Sequence, residues 1–523
     1  MSNGIAHGGT IGNLVVSAIS RFGDRPAIAD ENVRWTYREF GDRVARIIAV
    51  LKGLGLRSGS SLALLSPNRA DVWAIMSATL VMGMRYTPLH PLSAEEDHAF
   101  IVGDAEADIL IVDGKTFAQR GLAIKARVPT LKNLMAIGEA DGIPDIVKAY
   151  EGAVPAPLVD ESGGGSDIGW LAYTGGTTGR SKGVKMTHRS MVTAVLSVYS
   201  DWEWPSDIRY LASTPVSHAA AFFLWPTMMR GGFSYLMPGF QPEPYCAVIE
   251  KERINVIVLV PTAIYVLIDS AAIRAKYDLS SIEMIAYGAS PMSPDRLREG
   301  IGIFGQNFVQ FYGQTEAPLC VTAMRKSDHD LSKSHRFGSC GRPTPLSDVK
   351  LFDPQMREVG IGEPGEICVR GSLVMDGYWK LPEATEDAFR GGWLHTGDVA
   401  IRDEEGFLYI VDRTKDMIIS GGFNIYPRET EDALMAHPAV ASAAVIGVPD
   451  QKWGEAVKAF VVLKDGVRVE PAELMAFVKE RRGAAWAPKT VEFVNELAMT
   501  PLGKFDRKAM RAPYWGNQKR GVA

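Results

Sequence analysis

The sequence predicts an α/β fold, with a large N-terminal domain of layered α/β subdomains followed by a small α+β C-terminal domain. Three observations support this prediction. The chain has 523 residues, which is more than a single hydrophobic core usually serves. Strand-like apolar runs alternate with helix-like patterns through most of it. Beyond Asp412–Lys415, about a hundred residues carry their own strands and helices, which is enough for a small domain. We therefore divide the chain into residues 1–412 and 413–523.

The predicted elements of the first domain follow one another in βα order. Arg38–Leu54 has apolar residues at helical spacing. Short apolar runs bounded by turn residues are typical of buried strands, and they lie at Ser61–Leu65, Ile109–Val112, Asn255–Val260, Ile282–Ala286 and Asn307–Phe311. This alternation predicts largely parallel sheets, whose ligands bind beyond the carboxyl ends of the strands. We interpret the glycine-rich stretch Pro155–Gly165 as a loop within the domain.

The C-terminal segment has its own pattern of elements. Its apolar runs Ala443–Ile446 and Val457–Leu463 predict strands, and Arg428–Ala436 and Ala472–Arg481 predict helices. Two strands with flanking helices indicate a compact α+β unit.

The composition is that of an ordinary globular protein. Hydrophobic residues make up 46% of the chain and charged residues 22%, and the net charge is −5. A nucleic-acid-binding protein needs a basic surface to neutralise phosphates, so the overall charge argues against that class.

The cysteines and the apolar segments indicate a cytoplasmic protein. Cys246, Cys320, Cys340 and Cys368 are widely spaced and form no C-x-x-C pair, which fits a reducing compartment. The N-terminal residues lack the pattern of a signal peptide. The most apolar stretch, Ile254 to Ile268, contains a proline and is too short for a transmembrane helix.

The most informative segment is Leu171–His188, with the sequence LAYTGGTTGRSKGVKMTH. Glycines let the backbone bend with its amides turned inward, and hydroxyl groups and a lysine add donors and charge, so such a loop can bind a polyphosphate. It does not have the spacing of a Walker P-loop. Taken alone, it could equally be a flexible surface loop between a strand and a helix.

Further motifs recur in a fixed order along the chain. The whole set resembles the adenylate-forming superfamily of acyl-CoA synthetases, luciferases and adenylation domains, and is closest to stand-alone fatty-acid or aryl-acid CoA ligases. Beside the glycine-rich loop and the N-terminal Trp35–Glu39, the motifs are Tyr287–Pro291, Tyr312–Glu316, Trp393–Asp398, Asp412–Asp416, Gly421–Pro427 and Pro501–Lys504. The resemblance covers nearly the whole chain.

Three positions depart from the superfamily pattern. Gly175 stands where serine is usual, Ser181 where proline is usual, and Phe423 where glutamate is frequent. The first two changes should loosen the loop slightly, because glycine and serine restrict the backbone less than serine and proline do.

The resemblance implies attack of a carboxylate on the α-phosphorus of ATP, with magnesium as the metal ion. Both reactants are anionic, so the site must supply cations and hydrogen-bond donors. The implied ligands of the β- and γ-phosphates are Lys182 and the loop residues Thr174, Gly175, Gly176, Thr177, Thr178 and Gly179. Thr315 would contact the α-phosphate and Glu316 would bind magnesium. A Thr-Glu pair alone is more often a helix start.

The resemblance also assigns residues to the nucleoside. Asp398 would accept hydrogen bonds from the ribose hydroxyls, and Arg413 would assist at the ribose or the phosphates. The implied adenine slot consists of Gly288, Ala289, Ser290, Tyr312 and Gly313. Without this context, the sequence Thr-Gly-Asp is as typical of a turn as of a ribose-binding site.

The C-terminal domain is expected to be mobile. The resemblance makes Lys504 the catalytic lysine that bridges the carboxylate and the α-phosphate, although a lysine in a C-terminal loop is usually only solvated surface. Lys415 matches the hinge about which the domain rotates. After rotation, the loop at Gly421 and Gly422 would approach the coenzyme A thiol.

The acid is expected to be hydrophobic. The resemblance places the acyl pocket near Pro215–Pro226, where the residues are mostly apolar. It places His218 at the mouth of this pocket and implies a catalytic role for it beside Lys504, Thr315 and Glu316. Amino-acid-activating relatives need an aspartate in this region, and none occurs between Ser213 and Gly239. Fatty, alicyclic and arylpropenoic acids all remain open.

Coenzyme A is the expected acceptor and co-substrate, beside ATP and the acid. An acyl-AMP ligase that loads a separate carrier protein, and a non-catalytic nucleotide-binding homologue, are the alternatives. The basic residues Lys479, Arg481 and Arg482 would suit coenzyme A or only a charged helix end. Neither a nucleic-acid partner nor a membrane span is expected, and a homodimer stays open.

Overall fold

The computed structural model describes residues 9–174, 181–290, 292–413, 416–420, 423–450, 453–464, 466–499 and 505–515. The chain forms two compact units. The first comprises Met1–Val349 with Val369–Leu394, and the second comprises Lys350–Cys368 with His395–Ala523. The division at residue 412 serves a different purpose, which is to mark the C-terminal segment that is predicted to rotate. It stays a prediction.

The strands and helices are numbered in chain order. The strands are β1 Pro26–Ala29, β2 Arg34–Thr36, β3 Ser61–Leu65, β4 Arg85–Pro88, β5 Ile109–Asp113, β6 Asn133–Ile137, β7 Ile168–Thr174, β8 Lys182–Thr187, β9 Arg209–Ala212, β10 Phe233–Leu236, β11 Val256–Leu259, β12 Met284–Gly288, β13 Phe308–Gln314, β14 Ala317–Met324, β15 Arg342–Pro343, β16 Asp348–Phe352, β17 Gly365–Arg370, β18 Leu394–Arg402, β19 Leu408–Arg413, β20 Ile418–Ser420, β21 Phe423–Ile425, β22 Val440–Asp450, β23 Gly454–Leu463 and β24 Thr490–Phe493. The helices are α1 Ile11–Phe22, α2 Tyr37–Gly53, α3 Ala70–Val81, α4 Glu95–Asp104, α5 Gly114–Arg127, α6 Ile146–Glu151, α7 His188–Asp201, α8 Ala221–Met229, α9 Pro242–Glu252, α10 Pro261–Asp269, α11 Ala271–Arg274, α12 Pro294–Phe304, α13 Pro382–Ala388, α14 Pro427–Met435, α15 Pro471–Arg482 and α16 Arg507–Trp515. Short 3-10 helices lie at Lys326–Asp328, Leu331–Gly338 and Arg390–Gly392.

Two sheets build the first unit. One has the strand order β15-β14-β13-β12-β11-β9-β10-β1-β2, and the other β6-β5-β3-β4-β7-β8. In the first sheet β9, β10, β11, β12 and β13 run parallel, and β14 returns antiparallel to β13. In the second, β3 to β6 are parallel and β8 is antiparallel to β7.

Helices cover these sheets because their apolar residues match the helical period. Helix α2 begins with a capping box in which Thr36 and Glu39 satisfy each other's backbone amides, at 3.2 and 2.8 Å. Helix α3 is mostly apolar, and every one of its residues is buried. Aromatic side chains such as Trp73, Trp170 and Trp225 fill the space between neighbouring elements.

The parallel strands of the larger sheet place several loops at one edge. Because β9, β11, β12 and β13 point the same way, the residues that follow each of them emerge together. Three predicted groups of site residues follow these strands: His218 after β9, Ala289 and Ser290 after β12, and Thr315 with Glu316 after β13.

The second unit contains a sheet of order β16-β17-β18-β19 and another of order β21-β20-β23-β22, with β24 beside β23. Alternate residues of β22 face opposite sides. Val445 packs with α14 and α15 residues, and Ile446 packs with Met510 of α16. Arg507 donates to both carboxylate oxygens of buried Glu431, at 2.8 and 2.7 Å, which fixes α16 to the unit.

The structure confirms the predicted α/β class and shifts some element ends. Strand β3 has the predicted bounds, whereas β12 begins two residues late, because pairing with β11 starts at Met284. Strand β22 is longer than its apolar core, because its ladder with β23 continues to Asp450. The glycine-rich segment joins two antiparallel strands rather than a strand and a helix. No helix in the described ranges is long and apolar enough to cross a membrane.

Candidate active site

The two ends of the glycine-rich loop lie directly opposite each other. Thr174 ends β7 and Lys182 begins β8, and the antiparallel register pairs them. Both side chains are partly exposed. Gly175, Gly176, Thr177, Thr178 and Gly179 lie outside the described residues. The hairpin therefore holds the predicted lysine and one predicted threonine at the mouth of the loop.

Thr315 and Glu316 form the turn between β13 and β14. This placement at a strand end is the predicted one, and it is not a helix start. Both side chains are partly exposed. The turn is therefore open to a ligand at the edge where the parallel strands end.

The segment from Met375 to Trp379 connects this turn to β8. The Met375 amide donates to the Glu316 carbonyl at 2.8 Å, and the Trp379 amide donates to the Gly183 carbonyl at 2.7 Å. The Lys185 amide donates to the Gly377 carbonyl at 3.0 Å. These backbone bonds fix the distance between β8 and the turn, although the two belong to different sheets.

Tyr378 lies between the two charged residues of the site. Its hydroxyl donates to Oε1 of Glu316 at 2.9 Å. The Lys182 ammonium lies 4.8 Å from the centroid of its ring, within the range of a cation–π contact. Burial, reinforced by the nearby Glu316 charge, raises the pKa of Tyr378, so that the hydroxyl stays protonated and remains a donor. The cation thus lies over the face of the ring, and the carboxylate is held at the hydroxyl of the same side chain.

The predicted adenine slot follows β12 beside β13. Gly288 is paired with Phe311 so closely that a Cβ atom would lie 2.4 Å from the Phe311 carbonyl oxygen, so only glycine fits. Ala289 has a φ of 64°, a left-handed conformation that costs a non-glycine residue about 1–3 kcal/mol. Ser290 follows. Strain of this kind is typical of functional turns.

The opposing wall of the slot comes from β13. Tyr312 is buried, and a Cβ on Gly313 would lie 2.8 Å from backbone atoms of β14. Behind the slot, Tyr287 is hydrogen-bonded to buried His329 at 3.0 Å. The Nδ1 of His329 lies 2.7 Å from the Arg325 carbonyl, so the imidazole donates there and accepts from Tyr287. The structure thus brings the predicted slot residues together.

His218 lies in the turn region after β9 and contacts a second histidine. The rings of His218 and His90 are 4.9 Å apart and nearly perpendicular. Nδ1 of His90 accepts from the Leu92 amide at 3.2 Å, so its neutral ring carries the proton on Nε2. Burial, with a smaller effect of His90, lowers the pKa of His218 to about 4. His218 is therefore a neutral imidazole at pH 7.

The predicted ribose residues lie in the second unit. Asp398 on β18 is buried and stands opposite Arg413 on β19 in the antiparallel register. Gly397 has a φ of 73°, and its amide donates to Oε1 of Glu366 at 2.8 Å. The Asp398 amide donates to Thr396 Oγ1 at 3.1 Å. Asp398 is thus fixed by its strand, not by a turn.

The remaining predicted residues are not described. Lys504, Lys415, Gly421 and Gly422 lie outside the described residues, as does the rest of the Pro501–Lys504 motif. Their roles as catalytic lysine, hinge and thiol-facing loop stay predictions.

The sequence matches the AMP-binding enzyme family over residues 16–379 and the AMP-binding enzyme C-terminal domain over residues 429–504. The chain therefore belongs to the AMP-binding enzyme family. The first match contains Thr174, Lys182, Glu316 and Tyr378, and the second ends at Lys504. This membership confirms the resemblance that the ordered motifs indicate.

Relatives of known activity are similar over almost their whole length. A medium/long-chain fatty-acid–CoA ligase of Mycobacterium tuberculosis is 44% identical, covering 98% of this chain and 91% of the relative. A feruloyl-CoA synthase of an Amycolatopsis species is 37% identical, covering 91% and 93%. The structure of an amide bond synthetase from Marinactinospora thermotolerans has a TM-score of 0.89 at 30% identity, covering 96% of this chain and 99% of that one.

These comparisons confirm the predicted fold and enzyme class. The structural similarity covers both the large N-terminal part and the small C-terminal part of the fold. The family and its ligase relatives define an AMP-forming acid–thiol ligase, for which ATP with magnesium and coenzyme A are the co-substrates.

Sequence reasoning missed two residues that the structure places in the site. Tyr378 follows a glycine in a segment without regular secondary structure, so no periodicity marked it. His90 follows β4 in a different sheet from His218, so only the packing of the two sheets brings them together. For Tyr378, the sequence did offer one signal, the Gly-Tyr-Trp triplet at residues 377–379.

We predict that Tyr378→Phe lowers kcat/KM for ATP by tenfold or more, since a hydrogen bond to a charged group contributes about 1.5–3 kcal/mol. The ring under Lys182 is kept, so the loss reports on the orientation of Glu316 alone. AMP release at varied ATP concentration measures it.

Tyr150→Phe is the matched control, because the Tyr150 hydroxyl also donates to a carboxylate, that of Asp71 at 2.8 Å, outside the site. This variant should keep the wild-type kcat/KM. Equal kinetics for the two variants would contradict a role of Tyr378 in the site.

We predict that His218→Gln makes folding less sensitive to acid. An unfolded histidine titrates near pH 6.5, whereas folded His218 titrates near 4. Between these values only the unfolded chain takes up the proton, so stability falls as the pH falls from about 6.5 to 4. Urea unfolding at pH 7.5 and pH 5 should show a smaller loss in the variant than in the wild type.

The exposed His335 provides the control for this measurement. His335→Gln should retain the wild-type difference between the two pH values. An unchanged difference in His218→Gln would show that His218 is not held neutral by its surroundings.

Proposed function

We propose that this enzyme activates a hydrophobic carboxylic acid with ATP and transfers the acyl group to coenzyme A. The observation that supports this most is the arrangement of Lys182 over the ring of Tyr378 and Glu316 at its hydroxyl, at an edge where parallel strands end. Such an arrangement suits a magnesium-bound triphosphate, because it offers one cation and one carboxylate at a fixed distance.

The first half-reaction joins two anions. A carboxylate oxygen of the acid attacks the α-phosphorus, the bond to the β-phosphate oxygen breaks, and acyl-AMP and pyrophosphate result. Lys182 and Thr174 would hold the β- and γ-phosphates at the loop mouth, and Thr315 would donate to the α-phosphate. Glu316 would bind magnesium, which supplies positive charge to the phosphates. The oriented hydroxyl of Tyr378 keeps one Glu316 oxygen in place for this role.

The nucleoside would be held by groups of fixed position. Gly288, Ala289 and Ser290 with Tyr312 and Gly313 would accept the flat adenine, since small residues leave room and an aromatic side chain lies beside them. Asp398 would accept hydrogen bonds from the ribose hydroxyls, which suits an ionised carboxylate. Arg413 would assist at the ribose or the phosphates.

The second half-reaction breaks the acyl–phosphate bond. The thiol sulfur of coenzyme A attacks the acyl carbon, and AMP leaves. We propose that Lys504 serves only the first half-reaction, and that rotation about Lys415 removes it and brings Gly421 and Gly422 toward the thiol. Conformational exchange of this kind separates two reactions, one at phosphorus and one at the acyl carbon, that need different groups in one active site.

A medium or long fatty acid is the first candidate substrate, since the relative at 44% identity is a medium/long-chain fatty-acid–CoA ligase. An arylpropenoic acid is the second, given the feruloyl-CoA synthase at 37%. The segment after β9 is consistent with both, because Phe222, Leu224 and Trp225 present no charge to a substrate. Neutral His218 at the pocket mouth likewise favours an uncharged chain over a second carboxylate.

Measuring AMP release with ATP and magnesium over fatty, alicyclic and aromatic acids, with coenzyme A present or omitted, tests the proposal. We expect turnover with one acid class only when coenzyme A is present. Turnover with a carrier protein instead would identify a carrier-loading ligase, and binding of ATP without any turnover would identify a non-catalytic homologue.

Lys504→Ala provides an internal check on the same assay. It should abolish pyrophosphate release but leave thioester formation from supplied acyl-AMP mostly intact. Equal loss of both half-reactions would contradict the proposed division of roles. A homodimer and a cytoplasmic location stay predictions, which sedimentation and cell fractionation would test.

A further inference from the structure

Three metal-ligating side chains that the proposed reaction does not use converge between β17 and β18. Glu366 and Cys368 are two residues apart on β17 and so share one face, and His395 lies on β18 beside them. One ligand atom from each lies within 4.8 Å of the other two. All three residues belong to the second compact unit.

The separations of these atoms suit a single ion. Nδ1 of His395 lies 2.7 Å from Oε2 of Glu366 and 3.5 Å from Sγ of Cys368. Zinc binds such nitrogen, oxygen and sulfur atoms at about 2.0–2.3 Å. Both separations are shorter than two of these bonds, so one ion can reach Nδ1 together with either neighbour, and the third pair of ligand atoms lies within 4.8 Å. In addition, a single proton on Nδ1 can form a good hydrogen bond to only one of its two neighbours, Oε2 of Glu366 or Sγ of Cys368.

The surroundings of the cluster also suit a cation of this type. Cys368 is fully buried, and the side chains of His395 and Glu366 are 9% and 19% exposed, so the cluster opens to solvent through Glu366. A thiolate and a carboxylate together neutralise a divalent ion, which lowers the cost of burying it. The combination of thiolate, imidazole and carboxylate favours zinc over magnesium or calcium, which prefer oxygen ligands alone.

We propose that Glu366, Cys368 and His395 form a zinc-binding site, with water as the fourth ligand. On binding, the Cys368 thiol releases its proton to solvent and the single proton of the neutral imidazole moves from Nδ1 to Nε2, so that Sγ and Nδ1 can both coordinate. The three protein ligands and one open position match the pattern of an accessible zinc site.

Zinc at this position would act on the nucleotide site. Oε1 of Glu366 accepts from the Gly397 amide at 2.8 Å, and Asp398 is the next residue. An ion bound by both Oε2 and Nδ1 widens their 2.7 Å separation, which shifts the carboxylate, weakens the bond from the Gly397 amide and moves the strand segment that carries Asp398. Zinc therefore inhibits by weakening ATP binding, a consequence that rests on the proposed ribose contact of Asp398.

In the direct test, the metal-free full-length protein is titrated with Zn²⁺ in the presence of a competing chromophoric chelator and without nucleotide or acid. The titration gives the stoichiometry and the affinity of zinc binding. We expect one equivalent to bind in the wild type and affinity to fall by at least about tenfold in Cys368→Ser and in Glu366→Gln. Cys340→Ser, which removes a buried cysteine of the first unit, should bind as the wild type does.

A second measurement guards against misfolded variants. Co²⁺ added to the wild type should give the absorbance of a thiolate–cobalt bond, and Cys368→Ser should lack it while keeping the wild-type circular dichroism. Absence of stoichiometric binding, or equal affinity in Cys368→Ser, would overturn the site. Neither measurement involves ATP or an acid, so failure of the zinc site would leave the proposed ligase activity untouched. Failure of the ligase proposal would likewise leave the zinc site standing.

Discussion

The short segment from Met375 to Trp379 is the constraint on which the site depends. It is bound by backbone hydrogen bonds to β8 on one side and to the Glu316 turn on the other, and these two elements belong to different sheets. Without this connection, Lys182 and Glu316 would be held only by separate scaffolds. With it, both residues contact Tyr378, Lys182 over the face of the ring and Glu316 through the hydroxyl.

The larger sheet provides the other half of the arrangement. Parallel strands end at a common edge, so the sheet topology itself brings together the turns after β9, β12 and β13. Close backbone packing then excludes side chains at Gly288 and Gly313 and holds Ala289 in a left-handed conformation. The backbone therefore defines the space for a flat ligand, and the side chains add the charge.

Much of this could be predicted from the sequence, because the relevant signals are local. Apolar runs predicted β3 and β11, and the ordered motifs predicted roles for Lys182, Glu316 and Asp398, which the structure places at strand ends or on strands and which stay predictions. What could not be predicted depends on tertiary pairing. The antiparallel return of β8 and β14, the contact of His90 with His218, and the position of Tyr378 all follow from how separate segments pack. The cluster of Glu366, Cys368 and His395 was missed for the same reason, since His395 on β18 is 27 residues from Cys368 and 29 from Glu366 on β17.

The most direct test of the account is the magnesium dependence of ATP–pyrophosphate exchange in the wild type and in Glu316→Gln. The amide keeps an acceptor for the Tyr378 hydroxyl but removes the negative charge. If Glu316 binds the ion of the ATP complex, exchange should fall by at least about tenfold and half-maximal exchange should require more magnesium, since one lost charged contact costs 1.4 kcal/mol or more. An unchanged exchange rate and magnesium requirement would contradict the assignment of this site to the triphosphate.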